Sequence, residues 1–385
     1  MNKNTYLVLG AVVLIVAALA AGRGVLLPTG SPAAAVVGAN QPIRMGFIGP
    51  LSGDGASWGE IEKNAIELTV DDINSSGGIN GRPIEITYED GKCDGATALS
   101  AAEKLVEVDK IKILLVSCSQ EMLPIAPYAN AHKVVALTSY ASASGITDAG
   151  PYIFRNSYTN GEMAAAMARQ ALKYGSRVAI ISEESAFATD LRDLFIVDIT
   201  KAGGTIVDNE NYPQGARDLA TQATKIVAAK PDVIVANPNS TNTGLVILQN
   251  IRGLGYQGQF IGNFFGGSTT IQESKYAQGM VYVSDPVFAE SPLKQKVFDE
   301  YKARFGSYPD LPWPVGARYD ALYILKDAFL AVGDDSTAVM GYLHHMPSDF
   351  TGILGTYRFH ENDADITNIA PTVAKIEHST SIEVQ

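Results

Sequence analysis

The chain has 385 residues, 46% hydrophobic and 18% charged, with a formal net charge of −12 and a pI near 4.9. That length suits two domains or one large two-lobed unit. The acidic balance excludes non-specific nucleic-acid binding, which needs basic surface, and suits a protein that meets small solutes.

After Lys3, the stretch from Tyr6 to Gly22 (YLVLGAVVLIVAALAAG) carries no charge. A positive start, an apolar core and Ala18-Leu19-Ala20 read as an export signal. The run is about 17 residues, near the lower limit for spanning a bilayer, so an uncleaved anchor at 6–22 stays open. Neither cysteine lies near this segment, which excludes a lipid-anchored start. Residues 23–42 read as a small-residue linker. Either way the folded body lies outside the cytoplasm, where disulfides persist.

From residue 43, apolar strands alternate with amphipathic helices. The pattern predicts strands at 43–49, 83–90, 111–117 and 134–139, and helices at 59–78, 95–108 and 121–132. The rhythm repeats beyond residue 158, with helices at 161–175, 189–204, 216–230 and 241–255. Strands at 177–182, 205–212, 231–237 and 259–263 fall between them. Helices follow at 292–306 and 316–333, then two strands around a polar turn within 357–377. Strand–helix alternation implies parallel sheets with helices on both faces, and the break near 158 implies two similar lobes. Ligands of such sheets bind at the carboxyl ends of the strands, which two lobes can bring together across a cleft.

Several chemistries are missing. GPLSG (49–53) has the wrong spacing for a nucleophile elbow, and no phosphate-binding or dinucleotide glycine motif follows the first strand. His344 and His345 are adjacent and would point about 100° apart on a helix, a poor arrangement for one metal. No metal and no cofactor are expected. No base is identifiable for a catalytic Cys118.

Cys93 follows the second strand and Cys118 ends the third, with a helix between. A β–α–β crossover makes those strand ends neighbours, within bridging distance. A bridge closing about 25 residues would contribute roughly 3–4 kcal/mol in the chain-entropy model. Two buried free thiols are the alternative.

The stretches IGPLSGDGASWGE (48–60), DDINSSGGINGRPIEI (71–86), YEDGKCD (88–94), VSCS (116–119) and LTSYASASGIT (137–147) give the chain a specific likeness. It resembles the periplasmic leucine/isoleucine/valine-binding family of ABC-transporter solute receptors over about residues 43–377, more closely in the first lobe. The resemblance implies a type I periplasmic-binding fold: two Rossmann-like α/β lobes joined by three hinge strands, closing around an amino acid. Lobe 1 would be 43–157 and 286–350, and lobe 2 would be 158–285 and 351–385, after a signal or anchor and linker at 1–42. Hinges would fall near 156–160, 284–288 and 350–356. The cysteine spacing matches the family's disulfide.

The resemblance places the ligand carboxylate at Ser119, Tyr140, Ala141 and Ser142. Ser119 would open the 121–132 helix, where free N–H groups and the dipole favour an anion. Ser142 would add a hydroxyl donor, and the backbone around Tyr140 would add N–H groups. Plain capping is the alternative for both serines. Trp58 falls at the family's aromatic wall, with a core tryptophan as the alternative. Phe187 stands where an aromatic is usual, and Asn239 where tyrosine is frequent. Phe264, in QFIGNFFGG, occupies the position of the carboxylate that meets the ligand's ammonium group. A phenyl ring offers only a cation–π contact there. Either Glu183 or Glu184 supplies the acid, or the ligand lacks an ammonium group.

The resulting expectation is a monomeric, exported binding protein that does no bond chemistry and delivers a small carboxylate-bearing metabolite, a branched-chain amino acid or a related acid or amide, to an ABC permease. A ligand sensor of the same fold coupled to a signalling partner is the rival. An exported enzyme with a Rossmann-like lobe is a second.

Overall fold

The computed structural model describes residues 41–384. The export segment at 6–22 and nearly all of the linker lie outside the described residues. Two parallel sheets organise the rest. The first contains β1 (Ile43–Gly49), β2 (Ile84–Asp90), β3 (Ile113–Val116), β4 (Val135–Thr138) and β5 (Ile153–Arg155), in the order β2-β1-β3-β4-β5. All its pairings are parallel. The four residues of β3, Ile-Leu-Leu-Val, are all buried, as a strand covered on both faces demands. Helices Ala56–Ser75, Gly95–Glu107 and Ser119–His132 connect these strands.

The second sheet has a parallel part made of β6 (Arg177–Glu184), β7 (Thr205–Pro213), β8 (Val233–Asn237), β9 (Gln259–Gly262) and β10 (Val281–Ser284), in the order β10-β9-β8-β6-β7. A short antiparallel hairpin, β11 (Phe350–Gly352) with β12 (Gly355–Tyr357), belongs to neither sheet. Then β13 (Thr372–Glu377) joins β10 antiparallel and β14 (Thr380–Glu383) pairs with β13. The second sheet is therefore mixed at one edge. Of the two strands expected within 357–377 only β13 forms; β12 ends at Tyr357, and beyond it Phe359 and Ile366 make an isolated bridge.

Both sheets wind alike: the chain steps from the first strand to one neighbour, then returns to the other side. Each has a switch point, between β1 and β3 and between β6 and β8, where a crevice opens at the carboxyl ends. The chain passes between sheets three times. It leaves β5 for helix Asn160–Ala171, which packs on helix Ala186–Lys201 of the second sheet. After β10 it enters helices Pro292–Phe305 and Trp313–Val332, which pack on Ala56–Ser75 of the first.

The third passage differs from the expected 350–356. Ala364 accepts the Arg155 N–H at 2.7 Å and gives its own N–H to Thr147 at 2.9 Å, so this segment stays beside β5. Phe359 packs on Phe154, with ring centres 5.1 Å apart. The change of sheet falls after Ile366. The three passages meet at Asp285. Its carboxylate accepts from the Tyr158 hydroxyl at 2.6 Å, and its carbonyl from Thr372 Oγ at 3.1 Å.

Among the described residues, no helix is long and apolar enough to cross a membrane.

Candidate functional site

The end of β3 is held by groups hidden from water. Glu62, from helix Ala56–Ser75, and Arg318, from helix Trp313–Val332, are both fully buried. Arg318 Nε and Nη2 donate to one Glu62 oxygen at 3.1 and 2.8 Å, and Nη2 also reaches the Val116 carbonyl at 2.8 Å. The Ser117 hydroxyl donates to the other Glu62 oxygen. The Cys93–Cys118 disulfide, with Cα atoms 5.6 Å apart, ties the loop after β2 to the same point. Glu121 completes the brace by accepting the N–H groups of Cys93 and Cys118, each at 3.0 Å. Burial pushes its carboxyl up to about 7. Gly91 permits this approach, because a Cβ there would lie 2.2 Å from Glu121 Oε1. The stretch YEDGKCD is thus explained: glycine admits the acid and cysteine anchors the loop.

Helix Ser119–His132 begins two residues earlier than its pattern suggested, which brings Ser119 and Gln120 into its first turn. The N–H groups of Ser119 and Gln120 have no intrahelical acceptor, while that of Glu121 donates to the Cys118 carbonyl at 3.1 Å. Together with Trp58, Tyr140 and Ser142, Ser119 and Gln120 form one side of a small cavity. Phe187, at the start of helix Ala186–Lys201 after β6, with Asn239 and Phe264 from the segments after β8 and β9, forms the other side. Tyr158, on the first passage between the sheets, and Cys118 close the remainder. The rings run continuously across the gap. Centroids are 6.3 Å apart for Trp58–Tyr140, 5.6 Å for Tyr140–Phe264 and 5.5 Å for Phe187–Phe264.

Seven of the eight residues expected to touch ligand share this cavity; Ala141 does not line it. Its N–H goes to Thr138 Oγ at 3.0 Å, and the Tyr140 N–H reaches the same oxygen at 3.3 Å. The backbone donors expected around Tyr140 are therefore directed at a side chain of the protein itself. Ser142 is also altered in role: its hydroxyl donates to Asn160 Oδ1 at 2.7 Å, leaving it an acceptor toward the cavity. Ser119 Oγ accepts the Ala143 N–H at 3.2 Å and keeps its proton for another partner. Gln120 and Tyr158 were missed. An earlier helix start would have exposed Gln120; Tyr158 carries no local signal.

Two properties define the chemistry. No charged side chain lines the cavity. Glu184 is exposed, while Glu183 is buried beneath the second wall, accepts from the Asn239 backbone and is pushed up to about 7 by burial. Neither reaches the lining. Second, Trp58 Nε1, the Tyr140 hydroxyl and both polar atoms of the Gln120 amide are buried without a hydrogen-bond partner. Native proteins rarely leave such groups unpaired, so their concentration here is informative. Among the described residues, one cluster has metal-ligand spacing: Cys93, Cys118 and Glu121, where both sulfurs form the disulfide.

Polar links also cross between the two sides. Asp190 accepts the Ser144 N–H at 2.9 Å, the Ser144 hydroxyl, and Asn160 Nδ2 at 2.8 Å. Asp310 likewise accepts the N–H of Thr269 at 2.9 Å and its hydroxyl.

Two like-wound sheets facing an enclosed, uncharged cavity across three chain passages define the class of two-lobed receptors that close on a solute. The comparisons agree. A family model for periplasmic binding proteins matches residues 42–373, and the chain belongs to that family. A Leu/Ile/Val-binding protein homolog from Brucella melitensis is 27% identical over 315 residues, covering 78% of this chain and 83% of the relative. A solute-binding protein of an ABC transporter from Rhodopseudomonas palustris BisB5, solved with 3,4-dihydroxybenzoic acid, superposes with a TM-score of 0.77 at 23% identity. That match covers 89% of this chain and 96% of the other. An ABC-transporter substrate-binding protein from Desulfitobacterium hafniense, solved with leucine, gives 0.71 at 22% identity, covering 89% and 100%.

Proposed function

We propose that this protein is an exported solute receptor of an ABC importer whose ligand is a small carboxylate without an ammonium group. The observation that carries this reading is the uncharged lining, with Phe264 where an ammonium-binding acid would stand. An ammonium group enclosed here would be a buried charge with no ion-pair partner, which is costly. A carboxylate fares better. The first turn of helix Ser119–His132 and the Ser119 hydroxyl offer donors and a favourable dipole. Phe187, Phe264 and Trp58 then suit an apolar or aromatic body. The same fold holds 3,4-dihydroxybenzoic acid in one neighbour and leucine in another, so it accommodates either chemistry.

Lobe 1 would comprise 43–157 and 286–366, and lobe 2 158–285 and 367–384. Ligand contacts to both walls would favour the closed arrangement that a permease recognises, with no bond made or broken. The receptor would act as a monomer.

Thermal shift and calorimetry with leucine, valine, benzoate and short aliphatic acids test the reading. A true ligand at 100 times its Kd stabilises by about 2.7 kcal/mol. The expected result is stabilisation by a carboxylate lacking nitrogen and none by leucine or valine. Tight leucine binding would overturn it.

A further inference from the structure

Four buried polar atoms of residues that line the cavity lack hydrogen-bond partners: Trp58 Nε1, the Tyr140 hydroxyl, and Gln120 Nε2 and Oε1. Their hydrogen-bonding capacities differ. The indole N–H only donates, the amide nitrogen donates twice, and the hydroxyl donates or accepts. The Ser119 proton is a further donor, since its oxygen already receives the Ala143 N–H. A carboxylate accepts and never donates, so it can answer every one of these donors. It cannot answer the Gln120 carbonyl. Whichever way the amide is turned, one end is an acceptor enclosed by protein. Leaving a buried acceptor unpaired costs about 1–3 kcal/mol.

We infer that the solute carries, beside its carboxylate, a neutral hydrogen-bond donor read by Gln120, and that Gln120 is the specificity-determining residue of the cavity. This rests on the proposed carboxylate ligand. The donor is a hydroxyl or an amide N–H; an ammonium group would bring an unpaired charge into an uncharged lining. Trp58, Phe187 and Phe264 surround the same space with ring faces and edges, which favours a flat, apolar body between the two polar ends. The ligand class is thus a compact, hydroxyl- or amide-bearing carboxylate, with a hydroxylated aromatic acid as its simplest form. Gln120 enters as a reader of the donor because it pairs with nothing in the protein, unlike Ser142 and Asn160, which pair with each other.

Calorimetry on the whole protein with benzoate, its three monohydroxy isomers and the matching methyl ethers tests this. At least one hydroxy isomer should bind about tenfold or more tightly than both benzoate and its own ether, because a site built to pair a hydroxyl rejects analogues lacking it. In Gln120→Leu the hydroxy isomer should keep no advantage over benzoate, whatever the absolute affinity of either, and Gln120→Asn should restore part of that advantage. Isomers that bind no better than benzoate would overturn the inference and leave the carboxylate reading intact. So would a Gln120→Leu variant that weakens all the acids equally, which is the mark of a packing role. Binding of leucine in place of every acid would overturn both.

Discussion

The two walls of the cavity are supported in opposite ways. Behind the polar wall, the backbone at the end of β3 is fixed by a fully buried ion pair, Glu62–Arg318, and by the Cys93–Cys118 bridge. Behind the aromatic wall stand a neutral amide ladder and one buried carboxyl, Glu183, with no ion-pair partner among the described residues. Asn237 Nδ2 donates to Ser182 Oγ at 2.9 Å and to the Ala188 carbonyl at 2.8 Å, and Asn263 Nδ2 donates to Asn237 Oδ1 at 2.9 Å and the Pro238 carbonyl at 2.8 Å. Asn263 Oδ1 then receives the Phe265 N–H at 3.2 Å, setting the turn that presents Phe264. Recognition of a polar head demands hydrogen-bond donors placed within tenths of an ångström, which rigid bracing provides. Rings that enclose an apolar body tolerate more freedom, and amide pairs suffice.

The comparison breaks most visibly at its charges. Arg318→Met leaves Glu62 buried and unpaired, which should cost about 3–5 kcal/mol. Asn263→Leu removes neutral bonds from the other wall and should cost about 1–3 kcal/mol. Urea unfolding midpoints with a constant m-value measure both. Equal losses would mean that the two supports are energetically alike and the contrast is only one of composition.

A smaller effect comes from pH. Glu121 behind the polar wall, Glu183 behind the aromatic one, and Asp285 and Asp320 on the connecting segments are all pushed up to about 7 by burial. Their ordinary values are 4.5 for glutamate and 3.8 for aspartate. Between those values and about 7 the folded state holds more protons than the unfolded one. Stability therefore falls as pH rises through this window. Asp94 and Asp299, held low by hydrogen bonds, act oppositely below about 4. Melting temperature should peak near pH 4 and fall until just above pH 7, by about 2–4 °C for each kcal/mol lost. Glu121→Gln and Glu183→Gln should each flatten the slope. Glu121 shares its helix turn with Ser119, so only its variant should also reduce the loss of anion affinity above neutrality. A flat melting profile in the parent would remove the basis for both.

Most of the fold was legible because its strands are apolar runs of the length that a doubly covered sheet requires; β1 was read at its observed bounds. The short strands β5 and β10 escaped, as three- and four-residue segments carry almost no periodic signal. The mixed edge formed by β13 and β14 was invisible because strand direction is set by tertiary pairing. The site residues after β1, β3, β4, β6, β8 and β9 came from the family resemblance, and the strand ends bring seven of them to one cavity. Hydrogen-bond allegiance was not legible. Whether Ser142 donates to a ligand or to Asn160, and whether the Ala141 N–H is free or taken by Thr138, depends on residues that sequence does not place together. Gln120 was hidden by a two-residue error in a helix start.

The smallest expected effect concerns the contacts that join the walls. They form a reciprocal pair: Asp190 of the aromatic side receives both donors of Ser144, and Asp310 of the polar side receives both donors of Thr269. Each carboxylate is matched to one residue's N–H and hydroxyl, so the pairing is specific to the closed arrangement, and opening the lobes would return four donors to water. Because these groups lie near the surface, solvent recovers most of what is lost, and each link is worth at most about 1 kcal/mol. Asp190→Ala and Asp310→Ala should therefore weaken solute binding only about two- to fivefold each. The change should appear as faster release with little change in association, because the links form after encounter. Asp190 also receives Asn160, which in turn holds Ser142, so its variant should be the more affected of the two. The sites share no partner, and the double variant should show the product of the single effects. Stopped-flow release of a bound solute measures all three. Unchanged release rates would mean that the ligand alone holds the walls together, and that the polar and aromatic sides meet only through what they bind.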